Sequence, residues 1–208
     1  MLDNNRLKPR HKNHKKSAWE LIMFLFEPAN YGPLVANLLS EDRRCEVGPG
    51  RPNKAALPLL EKLSAESIFE SVSDPDMADC CVAGLWLWHD FLDRSHDYSQ
   101  QIGSPSGSYW HAIMHRREPD YSNSKYWYRR VGHHPIFEPL QEQIIELADQ
   151  MENEPLVAEM VGNDTFDGFA FVDLCAAVGR GKAELEDFCR EVTRREWQLL
   201  FDYCYARA

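Results

Sequence analysis

No apolar run in this 208-residue chain approaches the ~20 residues that span a bilayer, so no membrane partner is expected. The first residues are polar and basic without an apolar h-region, which argues against a secretory signal. None of the six cysteines, Cys45, Cys80, Cys81, Cys175, Cys189 and Cys204, forms a C-x-x-C pair. A zinc finger is thereby disfavoured, and the expectation is reduced, buried thiols in a cytoplasmic protein. Neither G-x-x-x-x-G-K-[ST] nor G-x-G-x-x-G occurs, so no nucleotide fingerprint is present. An overall basic excess is missing too: 33 Asp+Glu stand against 23 Lys+Arg, a net charge of -10. Nucleic acid is therefore an unlikely partner. There is no internal repeat and no clear alternating strand series.

What is present points to a folded α protein. Hydrophobic residues make up 44% of the chain and aromatics 12%, which excludes global disorder. A chain of this length can bury roughly 70% of its unfolded surface without disulfides or metals. Charge is unevenly placed. Residues 1–16 carry six bases against Asp3, a local +5 that leaves -15 for the other 192 residues. Residues 1–17 read as a flexible basic tail and 18–208 as one helical domain. Between Ser104 and His134 the balance turns to +3, whereas 135–155 hold six acids and no base. A positive segment in an acidic protein favours a small anionic ligand over a polymer.

Punctuation divides the rest into helices. Pro33 to Ser40 reads as a short helix, and Gly48 to Pro52 as a rigid turn. Ala55 to Phe69 shows a helical pattern with a break. Ser73-Asp74-Pro75 then starts a long helix over about 76–101. Tyr109 to Glu118, a helix to Val131 that Asp120 or Ser122 can cap and Gly132 ends, about 138–152 and 182–205 follow, and Phe166 to Val178 is strongly apolar. The fold expected is all-α, an irregular multi-helix bundle around the buried helix 76–101.

That helix is apolar nearly all round from Cys80 to Trp88, then turns polar with His89, Asp93, His96 and Gln100. At roughly 100° per residue these four continue the stripe of Val82, Leu85 and Trp86. Buried ionisable groups need partners or a ligand. A further helix places His111 and His115 at i, i+4, with Glu118 one turn on. Together with His89, Asp93 and His96 they offer metal ligation or acid–base groups. Zinc, or iron with two histidines and a carboxylate, is the ion such a set would hold. The metal ligands expected are His111, His115, His89 and Asp93. The plain alternative is a satisfied hydrogen-bond network, because structural ion networks mimic active sites.

Gly103 to Ser108 runs into the N-terminus of the His111 helix, where hydroxyls such as Ser106 and Ser108 and free N–H groups favour an anion. Arg116, Arg117, Lys125, Arg129 and Arg130 would hold it, since the guanidinium fork matches carboxylate and phosphate. Trp110 and its aromatic neighbours could stack on a planar ligand. The alternative is internal pairing: Asp173 and Glu196 each read as partly buried and in need of a cation.

The pair His89-Asp90 resembles the His-Asp of HD-type phosphohydrolases, also helical. Those enzymes need a further upstream histidine, and only His11 and His14 precede it, so the assignment is rejected. The block Ser108-Tyr109-Trp110-His111-Ala112-Ile113-Met114-His115-Arg116-Arg117-Glu118-Pro119-Asp120-Tyr121-Ser122-Asn123-Ser124-Lys125-Tyr126-Trp127 resembles a motif of an uncharacterised family of hypothetical bacterial proteins. The resemblance covers residues 80–135 and 199–205. It implies a shared fold and carries no activity. The reading is thus a protein that binds or acts on a small anion at a His/Asp/Arg pocket. Its rival is a non-catalytic interaction protein using the tail or the acidic helix 138–154. A homo-oligomer is compatible with either.

Overall fold

The computed structural model describes residues 26–149 and 154–208. The basic tail expected at 1–17 lies outside them. The described residues form eleven α-helices and two short 3-10 turns, with no strand among them, so the all-α expectation holds. No helix among them is long and apolar enough to cross a membrane.

In order these are α1 (Gly32–Leu38), α2 (Leu57–Leu60), α3 (Ala65–Ile68), α4 (Pro75–Trp88), α5 (Leu92–Ser99) and α6 (Pro105–Arg117). Then follow α7 (Tyr121–Val131), α8 (Phe137–Ala148), α9 (Pro155–Val161), α10 (Gly168–Gly179) and α11 (Glu186–Tyr205).

Two helices sit in the interior. In α4 every residue from Cys80 to Trp88 is buried, as its all-round apolar sequence requires. In α6 every residue from Ser106 to Arg117 is buried, though the segment is rich in polar groups. The two pack on each other at Gly84. A Cβ there would lie 2.9 Å from the Trp110 ring, so only glycine admits the indole. The Trp197 indole of α11 closes the third side, donating to the Gly84 carbonyl at 2.9 Å. Helix α7 folds back along α6, and α5 lies against both α4 and α6.

The long helix expected over 76–101 is two helices. It ends at Trp88 in a Schellman arrangement: Phe91 N–H donates to Trp86 O and Asp90 N–H to Leu87 O, both at 3.0 Å. The hydrophobic contact that accompanies this motif is present, with Phe91 edge-on to Trp86 at 5.4 Å between centroids. The left-handed position that usually needs glycine is occupied by Asp90, φ 63°. Its carboxylate is held by Arg43 at 2.7 Å and by Arg117. Opposite it stands Gly50, whose missing side chain leaves the space the carboxylate fills. Glycine and proline signals could not reveal this break, because the residue at the turn is an aspartate fixed by distant arginines.

The start of α6 also shifts. Pro105 opens it and Ser104 caps it, its hydroxyl accepting from Gly107 N–H at 3.3 Å. Most of the expected Gly/Ser loop is therefore the first turn of a buried helix. The helix expected to run to Val131 is α7, capped by Asp120 and ended by Gly132 at φ 65°.

Candidate metal centre

The turn at 89–91 decides which histidines meet. His96 on α5 comes against His111 and His115 on α6. Ring centroids are 4.7 Å apart for His96–His111, 5.4 Å for His96–His115 and 4.7 Å for His111–His115. One ligand atom from each ring lies within 4.8 Å of the others. Tetrahedral zinc, with Zn–N bonds of about 2.0–2.1 Å, sets its nitrogens on the order of 3.3 Å apart.

The α7 hairpin supplies the walls. The Trp127 indole stacks on His111 at 3.9 Å and 17° between planes. Arg130 lies over the Trp127 ring at 5.1 Å. His115 Nδ1–H donates to Glu118 Oε2 at 3.1 Å, and Asn123 Nδ2 stands 3.1 Å from His115 Nε2.

His111 is 2% exposed, and neither of its ring nitrogens has a hydrogen-bond partner among the described residues. Such a group is costly unless something binds it. Burial pushes its pKa down to about 3, with His115 and His96 adding to the effect. Burial also lowers His115, against the opposing pull of Glu118. Both imidazoles are therefore neutral at pH 7, the form in which their lone pairs bind metal.

The other residues expected at the site lie elsewhere. His89 is buried at the end of α4, its Nδ1 3.2 Å from Asn53 Nδ2, and burial with Arg43 nearby pushes it down to about 4. It falls outside the group of three because the Schellman turn separates it from α5. Asp93 is exposed, as is Gln100; Ser95 and Ser99 take the inward face of α5. Two of the four expected metal ligands, His111 and His115, are thus in the cluster, and His96 replaces His89 and Asp93.

The expected anion cradle is not assembled around the histidines. Arg116 is fully buried and ion-paired with Glu196, and Tyr128 joins them, accepting from Arg116 at 2.8 Å and donating to Glu196 at 2.7 Å. Arg117 holds Asp90 and donates to Gly48 O at 2.6 Å. Lys125 pairs with Asp173 at 2.6 Å. Arg129 lies over Phe169 at 5.4 Å. Ser106 contacts His134 Nε2 at 3.1 Å. Because His134 Nδ1 accepts from Ile136 N–H, Nε2 carries the proton and donates to Ser106, so the serine is not activated. Ser108 is buried, and Trp110 is a core residue against Gly84 and Trp197.

The sequence placed Trp127 only among the aromatics that could stack on a planar ligand and gave no site role to Asn123, and no local pattern marks either as a neighbour of the histidines. Both reach the cluster only because α7 folds back along α6. The six cysteines are free thiols, five of them buried.

No protein-family model matches the chain, and comparison with curated proteins and with solved structures finds no match.

Proposed function

We propose that the protein is a divalent-metal protein whose centre is His96, His111 and His115, with zinc the best fit to three imidazoles. The observation that carries this reading is His111: an enclosed, neutral imidazole with two unpartnered nitrogens, set against two more histidines. A purely structural network would have satisfied it.

Three protein ligands leave a fourth position open, the arrangement of catalytic rather than structural zinc. Three neutral imidazoles do not offset the ion's charge, and Glu118, the carboxylate in contact with the cluster, is engaged by His115. The open position therefore favours hydroxide or a small anionic ligand. Such an ion supplies Lewis-acid polarisation and a bound water of lowered pKa. Metal-assisted hydrolysis of a small anionic molecule is the reaction class this supports. His96, only partly buried, stands on the side open to solvent.

Elemental analysis of protein purified without an affinity tag or chelator tests the reading. One zinc, iron or manganese per chain, lost in the His111→Ala/His115→Ala variant, is expected. Absence of metal above background after dialysis against zinc would overturn it.

A further inference from the structure

Two neighbouring arginines of α7, Arg129 and Arg130, are exposed and form no ion pair among the described residues. The other bases of α6 and α7 examined above are spent: Arg116, Arg117 and Lys125 have carboxylate partners in Glu196, Asp90 and Asp173. Each free arginine lies over an aromatic ring, and the two rings differ in what else they touch. Arg129 lies over Phe169 of α10 at 5.4 Å. Arg130 lies over Trp127 at 5.1 Å, and that indole stacks on His111 at 3.9 Å. Arg130 is therefore joined to the histidine cluster through one indole, and Arg129 is not.

The contact of Arg130 with Trp127 is local, three residues apart on one helix. Its place beside His111 comes from the packing of α7 along α6. A guanidinium resting on an aromatic face keeps its charge. Its N–H groups lie in its own plane, where a carboxylate or phosphate is received in fork geometry. The centre thus offers two separate points for negative charge, the ion's open position and the Arg130 fork. A compact anion on the ion meets only the first. This inference rests on the metal reading and names the substrate class of the same site. The geometry points to Arg130 as the specificity-determining residue, which receives a carboxylate or phosphate at the far end of an elongated small anion whose near end lies on the ion. The group to be hydrolysed is the near one, and the far one is what Arg130 reads.

Length-matched acids test this. The full chain is loaded with cobalt(II) in place of zinc, so that entry of a ligand at the open position changes the visible spectrum. Succinate, glutarate and adipate are titrated against butyrate, pentanoate and hexanoate at fixed ionic strength, because screening alters exposed charge pairs. The same titrations are made with Arg130→Gln and Arg129→Gln. The unmodified chain should bind at least one diacid about three- to tenfold tighter than its matched monoacid, the range for a bidentate pair made by an exposed arginine. Arg130→Gln should remove that preference while leaving monoacid affinity and cobalt stoichiometry unchanged. Arg129→Gln carries the same loss of charge and should keep the preference. No diacid preference in the unmodified chain, a preference that survives Arg130→Gln, one that Arg129→Gln removes equally, or loss of the metal in Arg130→Gln would overturn this inference alone. An unmodified chain that holds no metal would overturn the metal reading and this inference with it.

Discussion

Helix α6 carries two buried polar clusters that contrast with each other. Arg116 faces Glu196 and Tyr128, and every charged group there meets a partner of opposite sign or a hydroxyl. One residue earlier in the chain, His115 belongs to the histidine cluster, where neither ring nitrogen of His111 has a hydrogen-bond partner among the described residues. Consecutive positions point to different neighbours, so one helix serves two clusters. The first is chemically closed: guanidinium, carboxylate and phenol complete one another, and the 4.4 Å contact of Arg116 with the Phe171 face adds to it. The second is chemically open, with lone pairs and no donor supplied to His111. A closed network stabilises a fold, and an open one costs stability until a ligand fills it.

Four experiments test that contrast. The largest effect belongs to the closed cluster. Glu196→Ala leaves a buried guanidinium uncompensated and should cost about 3–5 kcal/mol in urea unfolding. A loss below about 1 kcal/mol would show that the pair contributes little and that the two clusters do not differ as described.

The next effect is ligand-linked. Zinc at 100-fold above its dissociation constant should stabilise the unmodified chain by about 2.7 kcal/mol. His111→Ala should abolish that gain and, without metal, destabilise less than Glu196→Ala does. Equal zinc stabilisation in both chains would remove the histidines from the metal's path.

Third comes acid. His89, His111 and His134 have folded pKa values of about 4, 3 and 4, well below the ~6.5 of an unfolded histidine. Between about pH 6.5 and 4 the unfolded chain binds more protons than the folded one, so stability falls as pH falls through that window. It is fully present above pH 6.5. Thermal midpoints recorded from pH 7.5 to 4.5 should decline, and zinc should flatten the upper part of the decline. A flat metal-free profile over that range would contradict the neutral, buried histidines.

The smallest effect separates strain from charge at the turn between α4 and α5. Asp90→Asn and Asp90→Ala both remove the carboxylate charge that pairs with the two arginines, but asparagine tolerates the left-handed conformation better. Asp90→Ala should be the less stable of the two by about 1 kcal/mol. It should also weaken zinc binding, because the turn is what swings His96 toward α6. Equal stability of the two variants would mean that backbone conformation is not what Asp90 contributes.

Much of the helical content was legible in the residues. Asp120 and Gly132 bound α7 because capping and left-handed termination are local chemistry. The His111/His115 pair was legible from its i, i+4 spacing, as was the demand of Glu196 for a cation. The extent of the 76–101 helix was not. Its break depends on Arg43, Arg117 and Gly50, residues 47, 27 and 40 positions from Asp90 along the chain. With the helix taken as straight, His89 and His96 shared a face and Asp93 lay between them. Once it breaks, Asp93 faces solvent and only His96 reaches α6.

An all-α chain, a helix apolar on every side and two histidines one turn apart are written in the residues themselves. Those features follow from periodicity and capping, which act within a few residues. Which third histidine joins the pair, and which acids the arginines meet, was settled by the packing of the helices. That packing also decided that Trp127 and Asn123 stand beside the rings. Those outcomes depend on helix-to-helix geometry, and a single left-handed residue stabilised by distant charges redirects an entire helix face.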